Sequence, residues 1–170
     1  MFKLFLFFGV LFVNICNANE VLNIKIKSID LSDLKYVSEL CTQLGFPAKE
    51  ASLKRRIELI KKYPTQIVLV AKTEKGNVVG WIHAYEAPSL LSDATVEIGG
   101  LVVDQKMRRH GVGKSLMNAV EQWAHARGFK EILLATRTDR LDAQAFYKAI
   151  GYVFVHTTHF LSKDLEKSVK

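Results

Sequence analysis

VEIGGLVVDQKMRRHGVGKSLM, residues 96–117, is the stretch that decides the fold predicted for this chain. Its first half is apolar and β-branched, which predicts a buried strand, and its middle is a basic loop. The last part predicts a helix, because apolar residues recur at helical spacing at Val112, Leu116, Val120, Trp123 and Ala124. A strand, a basic loop and a helix are therefore expected to follow one another directly.

Glycines mark two special points in this stretch. Gly99 and Gly100 interrupt the strand, where glycine indicates a β-bulge or the close approach of another backbone. Gly111 and Gly113 lie in the loop with Arg108, where the helix begins. Free N–H groups and the positive end of the helix dipole favour an anion at that point. The sequence therefore predicts a phosphate site, with a bulge beside a ligand.

The pattern Arg108-x-x-Gly111-x-Gly113 after a Leu-Val-Val strand resembles the acetyl-CoA loop of the GNAT superfamily of N-acetyltransferases. Residues 145–152, AFYKAIGY, are similar to the late Phe-Tyr…Gly-Phe/Tyr segment of that superfamily, so the resemblance spans about residues 24–165. It implies a single α/β domain of the α+β type, with a mixed, mostly antiparallel sheet flanked by helices. It also implies acetyl-CoA as co-substrate, with these residues as its binding site: Leu101, Val102, Val103, Arg108, Arg109, His110, Gly111, Val112, Gly113, Lys114 and Ser115.

Two other phosphate-binding motifs fit this loop less well. Residues 113–115, GKS, read like the end of a P-loop, but that motif needs a glycine at the position of Arg108. A Rossmann dinucleotide site lacks its third glycine, because Leu116 or Met117 stands at that position. Both motifs are therefore disfavoured.

Composition limits the partners that are expected. The 170 residues and 49% hydrophobic content suit a single domain with a sizeable core. The net charge of +7 favours an anionic partner, but the basic residues are scattered and lack interleaved aromatics, so no nucleic-acid partner is expected. Cys16, Cys41 and the five histidines show neither a disulfide framework nor a metal-binding spacing, and no metal is expected.

Residues 1–18 have the pattern of a leader segment. Lys3 precedes an apolar run over residues 4–13, and the Cys16-Asn17-Ala18 end predicts a secretory signal peptide cleaved after Ala18. The N-acetyltransferase domain would then be residues 19–170. A leader conflicts with a cytoplasmic acetyl donor, so three interpretations stay open: a non-native leader from an upstream start codon, a membrane tether, or export. We expect a cytoplasmic domain, with membrane contact only if the segment is retained.

The rest of the chain alternates between strand and helix patterns. Besides the central strand and helix, strands are predicted at residues 23–29, 66–72, 78–85, 131–136 and 152–161. Helices are predicted at about residues 30–44, 49–62 and 141–150, and a hairpin turn at residues 73–77. The resemblance implies that the loops at residues 45–50 and 86–93 border the acceptor site.

Acetyl transfer to an amine needs a deprotonated amine, a polarised thioester carbonyl and an acid for the departing thiolate. Glu97 is an acid in an otherwise apolar strand and resembles the carboxylate that serves as the base in part of the superfamily. A role as a half-exposed strand residue or ion-pair partner stays open for Glu97. Tyr147 matches the tyrosine that protonates the leaving sulphur, whereas Phe146 is expected in the core. His83 is interpreted as a packed or rim residue.

The function predicted is transfer of acetyl from acetyl-CoA to a primary amine of a small molecule or a protein terminus. A non-catalytic coenzyme A-binding or regulatory domain is the alternative. Such a domain would keep Arg108, Gly111 and Gly113 but would tolerate loss of Glu97 and Tyr147. A homodimer is compatible with the sequence, which does not fix the oligomeric state.

Overall fold

The computed structural model describes residues 23–165, which form one five-stranded sheet with four α-helices. The strands are β1 Ile24–Ser28, β2 Gln66–Thr73, β3 Val78–Ala87, β4 Thr95–Val103 and β5 Ile132–Leu134. The helices are α1 Leu34–Leu44, α2 Glu50–Ile60, α3 Val112–Ala126 and α4 Leu141–Ala149. The order is β1-β2-β3-β4-β5, antiparallel except for the parallel β4–β5 pair. The predicted mixed, mostly antiparallel sheet flanked by helices is confirmed.

Each face of the sheet is covered by its own helices. Side chains alternate along a strand, so successive residues of β2, β3 and β4 point to opposite faces. On the α3 face, Ile82 and Ile98 pack with the buried Leu116 of α3. On the α1 face, Val70 and Val102 pack with α1 and α2. The helical spacing read from the sequence is thus confirmed in both layers.

A β-bulge interrupts the central strand at the predicted point. His83 pairs with Gly100, whereas the next residue of β3, Ala84, pairs with Ile98. Gly99 is therefore the extra residue of β4. A Cβ atom on Gly99 would lie 2.9 Å from Nδ1 of His83, which explains the glycine by close packing.

Strand β4 is only partly covered by its parallel neighbour. β5 has three residues and pairs with Val96, Glu97 and Ile98 of β4. A strand was predicted over residues 131–136, so it is shorter than expected. Beyond Ile98, no strand of residues 23–165 lies along this side of β4, and its backbone forms an open edge there.

The predicted strand at residues 152–161 is wrong. These residues adopt no regular structure and have no strand as a neighbour within the described chain. Tyr152 packs against the core, but the apolar side chains that follow it are exposed, including Phe154 and Phe160. A strand pattern needs a ladder partner for its backbone groups, because an isolated strand leaves them unpaired. The sequence pattern showed strand preference but could not show whether a partner was present.

The leader predicted at residues 1–18 lies outside the described residues. Within residues 23–165, none of the helices combines the length and apolar character needed to cross a bilayer. The boundary of the domain at residue 19 stays a prediction.

Candidate active site

The loop before α3 presents backbone N–H groups toward solvent. Gly111 caps the helix in the left-handed region, with φ of +78°, and Arg109 is also left-handed at +66°. No side chain caps the helix start, and the first N–H groups of a helix lack partners within it. The amides of Val112, Gly113 and Lys114 therefore have no partners within the helix, and the anion site at this point stays a prediction. A left-handed residue at 111 explains why glycine stands there.

The side chains of this loop mostly organise its own backbone. Arg108 donates from Nε to the carbonyl oxygen of Val103 at 3.4 Å, which connects the loop to the end of β4. The His110 ring lies 2.7 Å from the Arg108 carbonyl oxygen, and the Ser115 hydroxyl donates to the Gly111 carbonyl oxygen at 3.2 Å. Arg109 and Lys114 are exposed and contribute positive charge beside the helix start. The loop therefore combines free amides with surrounding cations.

Gly113 serves packing. A Cβ atom there would lie 3.1 Å from Cζ of Phe146 and 3.6 Å from Cγ2 of Val103. The ring of Phe146 thus lies against the first turn of α3, as expected for a core residue. This contact holds α4, and with it Tyr147, close to the loop before α3 and the end of β4.

Tyr147 is a half-buried phenol on the α3 face. Its ring centroid lies 5.2 Å from that of Phe146 and 6.0 Å from that of Tyr152. Burial raises the pKa of Tyr147, although the charge of Arg140 opposes the shift. Its hydroxyl group has no hydrogen-bond partner among residues 23–165, and the group stays protonated at neutral pH. The phenol is therefore able to donate a proton.

The open edge of β4 lies between the loop and the bulge. Leu101 and Val103 direct their side chains into the α3-face core, and Val102 is buried on the α1 face. Their contribution to a ligand is therefore the main chain. An extended chain of amides added along this edge would continue the sheet by main-chain hydrogen bonds.

Glu97 lies on the α1 face, beside the paired β5 section. Its Oε2 atom accepts a hydrogen bond of 2.7 Å from the hydroxyl of Tyr85, directly opposite on β3. This bond, with burial second, raises the pKa of Tyr85, so the tyrosine remains a donor. The side chain is half-buried, and its second oxygen, Oε1, stays available to another donor.

Glu97 belongs to a row of polar side chains that sequence reasoning did not assemble. Gln66, His83, Tyr85 and Glu97 lie on the α1 face across β2, β3 and β4. The His83 Nε2 atom lies 3.1 Å from Oε1 of Gln66, and the His83 and Tyr85 rings are 5.6 Å apart. The sequence of β3 does indicate such a row, because every second residue from Trp81 to Tyr85 carries a polar or amphipathic ring and these rings share one face.

The site residues thus approach the open edge of β4 from two sides. Tyr147 and the loop before α3 belong to the α3 face, whereas Glu97 and the polar row belong to the α1 face. Groups on opposite faces of a strand can act on the two ends of one bond held along its edge. Within residues 23–165, no cluster of three or more His, Cys, Asp or Glu side chains is placed to hold a metal ion.

Known proteins are similar to this chain in sequence and in fold. Residues 34–152 match the family described as Acetyltransferase (GNAT) family. N-acetyltransferase 8 of Homo sapiens is 32% identical over 107 residues, covering 54% of this chain and 47% of the human protein. N-acetyltransferase family 8 member 3 of Mus musculus is 32% identical over 79 residues, covering 46% and 35%. The chain spans about half the length, or less, of these curated relatives.

Solved structures agree in fold at low sequence identity. Aminoglycoside antibiotic 6'-N-acetyltransferase AAC(6')-Ih from Acinetobacter baumannii superposes with a TM-score of 0.74 at 20% identity, covering 84% of this chain and 99% of that chain. AAC(6')-Iy, solved in complex with CoA, has a TM-score of 0.75 at 21% identity, covering 84% and 95%. The family match covers most of the described domain, and it shows that the chain belongs to the GNAT family of acetyltransferases.

Proposed function

We propose that this chain transfers an acetyl group from acetyl-CoA to a primary amine of a small molecule or a protein terminus. One observation carries the proposal: the backbone of Leu101, Val102 and Val103 forms an open edge that ends at the uncapped start of α3. The open strand edge suits the pantetheine arm of coenzyme A, which contains amides. The free amides at the helix start suit its pyrophosphate.

The described residues fit acetyl-CoA as co-substrate. The pantetheine arm would pair with residues 101–103, and the pyrophosphate would accept hydrogen bonds from the amides of Val112, Gly113 and Lys114. Arg108 and Arg109 would add positive charge, and the remaining loop residues, His110 and Ser115, would keep the backbone in this conformation. The AAC(6')-Iy structure contains CoA, which supports the assignment for this fold.

Two side chains supply the proton transfers in this proposal. Glu97 receives the proton of the amine, directly or through a water molecule, and its bond from Tyr85 holds the carboxylate in place. Tyr147 gives its proton to the departing thiolate, for which a neutral phenol is needed. Backbone N–H groups freed at the bulge polarise the thioester carbonyl.

The acceptor is proposed to bind on the α1 face, beside the polar row. The loops at residues 45–50 and 86–93 expose Phe46, Leu90 and Leu91, which offer apolar surface near the ends of this face. The relatives are named as N-acetyltransferases or as aminoglycoside acetyltransferases, and these names support an amine as the acceptor.

The experiment is acetyl-CoA turnover against a panel of primary amines, peptides with free N-termini and aminoglycosides. Thiol release that depends on the acceptor, together with acetylated product in the mass spectrum, is the expected result. Coenzyme binding without turnover on any acceptor would contradict the enzyme and favour the coenzyme A-binding domain instead.

We propose in addition that the catalytic domain acts in the cytoplasm, where acetyl-CoA is made. Fractionation of native cells and sequencing of the N-terminus test this. A processed terminus at Asn19 in an exported fraction would overturn the assignment and establish residues 1–18 as a signal peptide.

A further inference from the structure

His83 is a nitrogen base on the α1 face to which the mechanism above gives no task. It lies in the middle of β3, opposite the bulge of β4, and pairs with Gly100. The ring is half-buried and makes one hydrogen bond, from Nε2 to Gln66. Its other nitrogen, Nδ1, faces Gly99, and a Cβ atom added to that glycine would be 2.9 Å away.

Gln66 determines which nitrogen of His83 carries the proton. The Nε2 atom lies 3.1 Å from Oε1, a carboxamide oxygen that can only accept a hydrogen bond. With the carboxamide in this orientation, Nε2 is the donor, and Nδ1 of the neutral ring keeps its lone pair. This lone pair is directed toward Gly99, which has no side chain and is exposed. Nδ1 is thus prepared to accept a proton at the bulge.

The position of the pantetheine edge along β4 suggests that the acceptor amine meets His83 before it meets Glu97. The proposed pantetheine edge begins at Leu101, which is one residue from Gly100, the partner of His83. Glu97 lies further away: its partner Tyr85 and the partner of Leu101, Ile82, are three residues apart on β3, roughly 10 Å at the usual rise of a strand. An amine that attacks a thioester held at the bulge would therefore reach His83 before Glu97.

The surroundings of His83 set its charge. Burial lowers the pKa of His83, so the ring is neutral at neutral pH. On the strands beside His83, the titratable groups of this face are Tyr85 and Glu97, while Gln66 of β2 is uncharged.

Further along β2, Lys72 lies 2.6 Å from the Asp33 carboxylate, so these two charges compensate each other. Helix α2 carries Arg56, whose charge acts on Cys41. The buried side of α1, which packs over this face, presents Cys41, a thiol whose pKa burial raises and which stays neutral. Glu97 accepts from a neutral phenol and, unlike Asp33, has no cationic partner within residues 23–165, so its charge favours a transient imidazolium.

We propose that His83, with its tautomer fixed by Gln66, is the intermediary that takes the proton from the acceptor amine and passes it toward Glu97. The amine N–H bond breaks as an Nδ1–H bond forms, and the nitrogen electron pair is left for attack on the thioester carbonyl. The Nε2–H bond to Gln66 is unchanged throughout. The proton then leaves Nδ1 through solvent to the Glu97 carboxylate. This inference rests on the proposed acetyl transfer.

The test compares kcat and the pH profile of kcat/KM for the wild type and two variants. His83→Gln removes the titrating nitrogen, and kcat is expected to fall about 10²-fold, the low end for general base catalysis. Gln66→Glu places a carboxylate beside Nε2 and stabilises the imidazolium, so the acidic limb should move up by about one pH unit or more. A purely structural role for His83 would not move this limb.

Two controls show whether an effect is specific to His83. His125→Gln makes the same change at an exposed histidine of α3 and should leave rate and pH profile unchanged. Nitrogen-15 NMR of histidine-labelled wild type should show the proton of His83 on Nε2 at pH 7, and Gln66→Leu should reduce that preference. The NMR measurement is independent of whether His83→Gln folds.

The outcomes separate the two claims. A wild type that acetylates no amine overturns the proposed function and the role of His83 with it. Wild-type turnover with unchanged rates in His83→Gln, or an unmoved acidic limb in Gln66→Glu, overturns the role of His83 alone. A proton found on Nδ1 of the neutral ring would do the same.

Discussion

Gly99→Ala should disturb the site by a single methyl group. The new Cβ atom would lie 2.9 Å from Nδ1 of His83 and 3.2 Å from Cε1 of Tyr85, whereas ordinary contact begins at 3.4 Å. The His83 ring must therefore retreat by about 0.5 Å, which strains its 3.1 Å hydrogen bond to Gln66. Gly99 does not have a left-handed φ, so the backbone itself accepts alanine.

Two opposing effects determine how much Gly99→Ala changes the free energy of unfolding. Overpacking typically costs about 1–3 kcal/mol, whereas replacing a strand glycine by alanine returns about 0.5–1 kcal/mol. We expect a net loss of about 1 kcal/mol in the free energy of unfolding, or roughly 2–4 °C in Tm for a chain of this size. Turnover should fall as well, because the methyl group fills the space in front of Nδ1. Urea unfolding and acetyl-CoA turnover measure the two effects.

A double-mutant cycle with His83→Ala identifies the cause. Removing the ring relieves the closest contact, so Gly99→Ala should cost less stability in the His83→Ala background than in the wild type. Equal costs in both backgrounds, or a Gly99→Ala variant as stable and active as the wild type, would refute the packing described at the bulge.

Further predictions concern the coenzyme site and the leader. Gly111→Asp places a negative charge at the phosphate position and should nearly abolish coenzyme A binding in calorimetry, whereas Gly128→Asp, at a similar φ of +84° after α3, should not. Arg108→Ala should weaken binding by about 1–3 kcal/mol if it contacts phosphate, and unchanged affinity would make it a surface residue. Tyr147→Phe should keep coenzyme binding while kcat falls about 10²-fold. Because burial raises the pKa of Tyr147, the wild type should lose no activity to its ionisation below about pH 10, and an earlier alkaline limb removed by Tyr147→Phe would contradict this. A chain lacking residues 1–18 should fold and bind coenzyme A, and failure of either would place part of the domain in that segment.

The central strand, loop and helix were predictable because each follows from local chemistry. The spacing of Val112, Leu116 and Val120 defines one helical face, and all three are buried. The glycines at 99 and 100 predicted a bulge, which the structure places at Gly99, whereas the left-handed conformation of Gly111 emerged only from the structure. The helical face and the bulge depend on residues that are neighbours in the chain, so they can be predicted from the sequence alone.

The sequence prediction was wrong or incomplete where the structure depends on contacts between residues that are distant in the chain. Residues 152–161 have the composition of a strand, yet whether they form one depends on a neighbouring strand that composition cannot supply. The polar row joins Gln66, His83 and Glu97, which are separated by up to 31 positions and meet only through strand register. His83 therefore looked like an ordinary rim residue until its partners were known. The roles of Glu97 and Tyr147 stay predictions.

Amide hydrogen exchange with and without coenzyme A tests the central claim most directly. If the pantetheine arm extends the sheet along β4 and the pyrophosphate binds at α3, the amides of Leu101 and Val103, which point away from β3, and those of Val112–Lys114 should become protected when coenzyme A binds. Amides at the far end of α3, near Gly128, should be unaffected. Binding detected by calorimetry without protection at these two segments would contradict the site described for this chain.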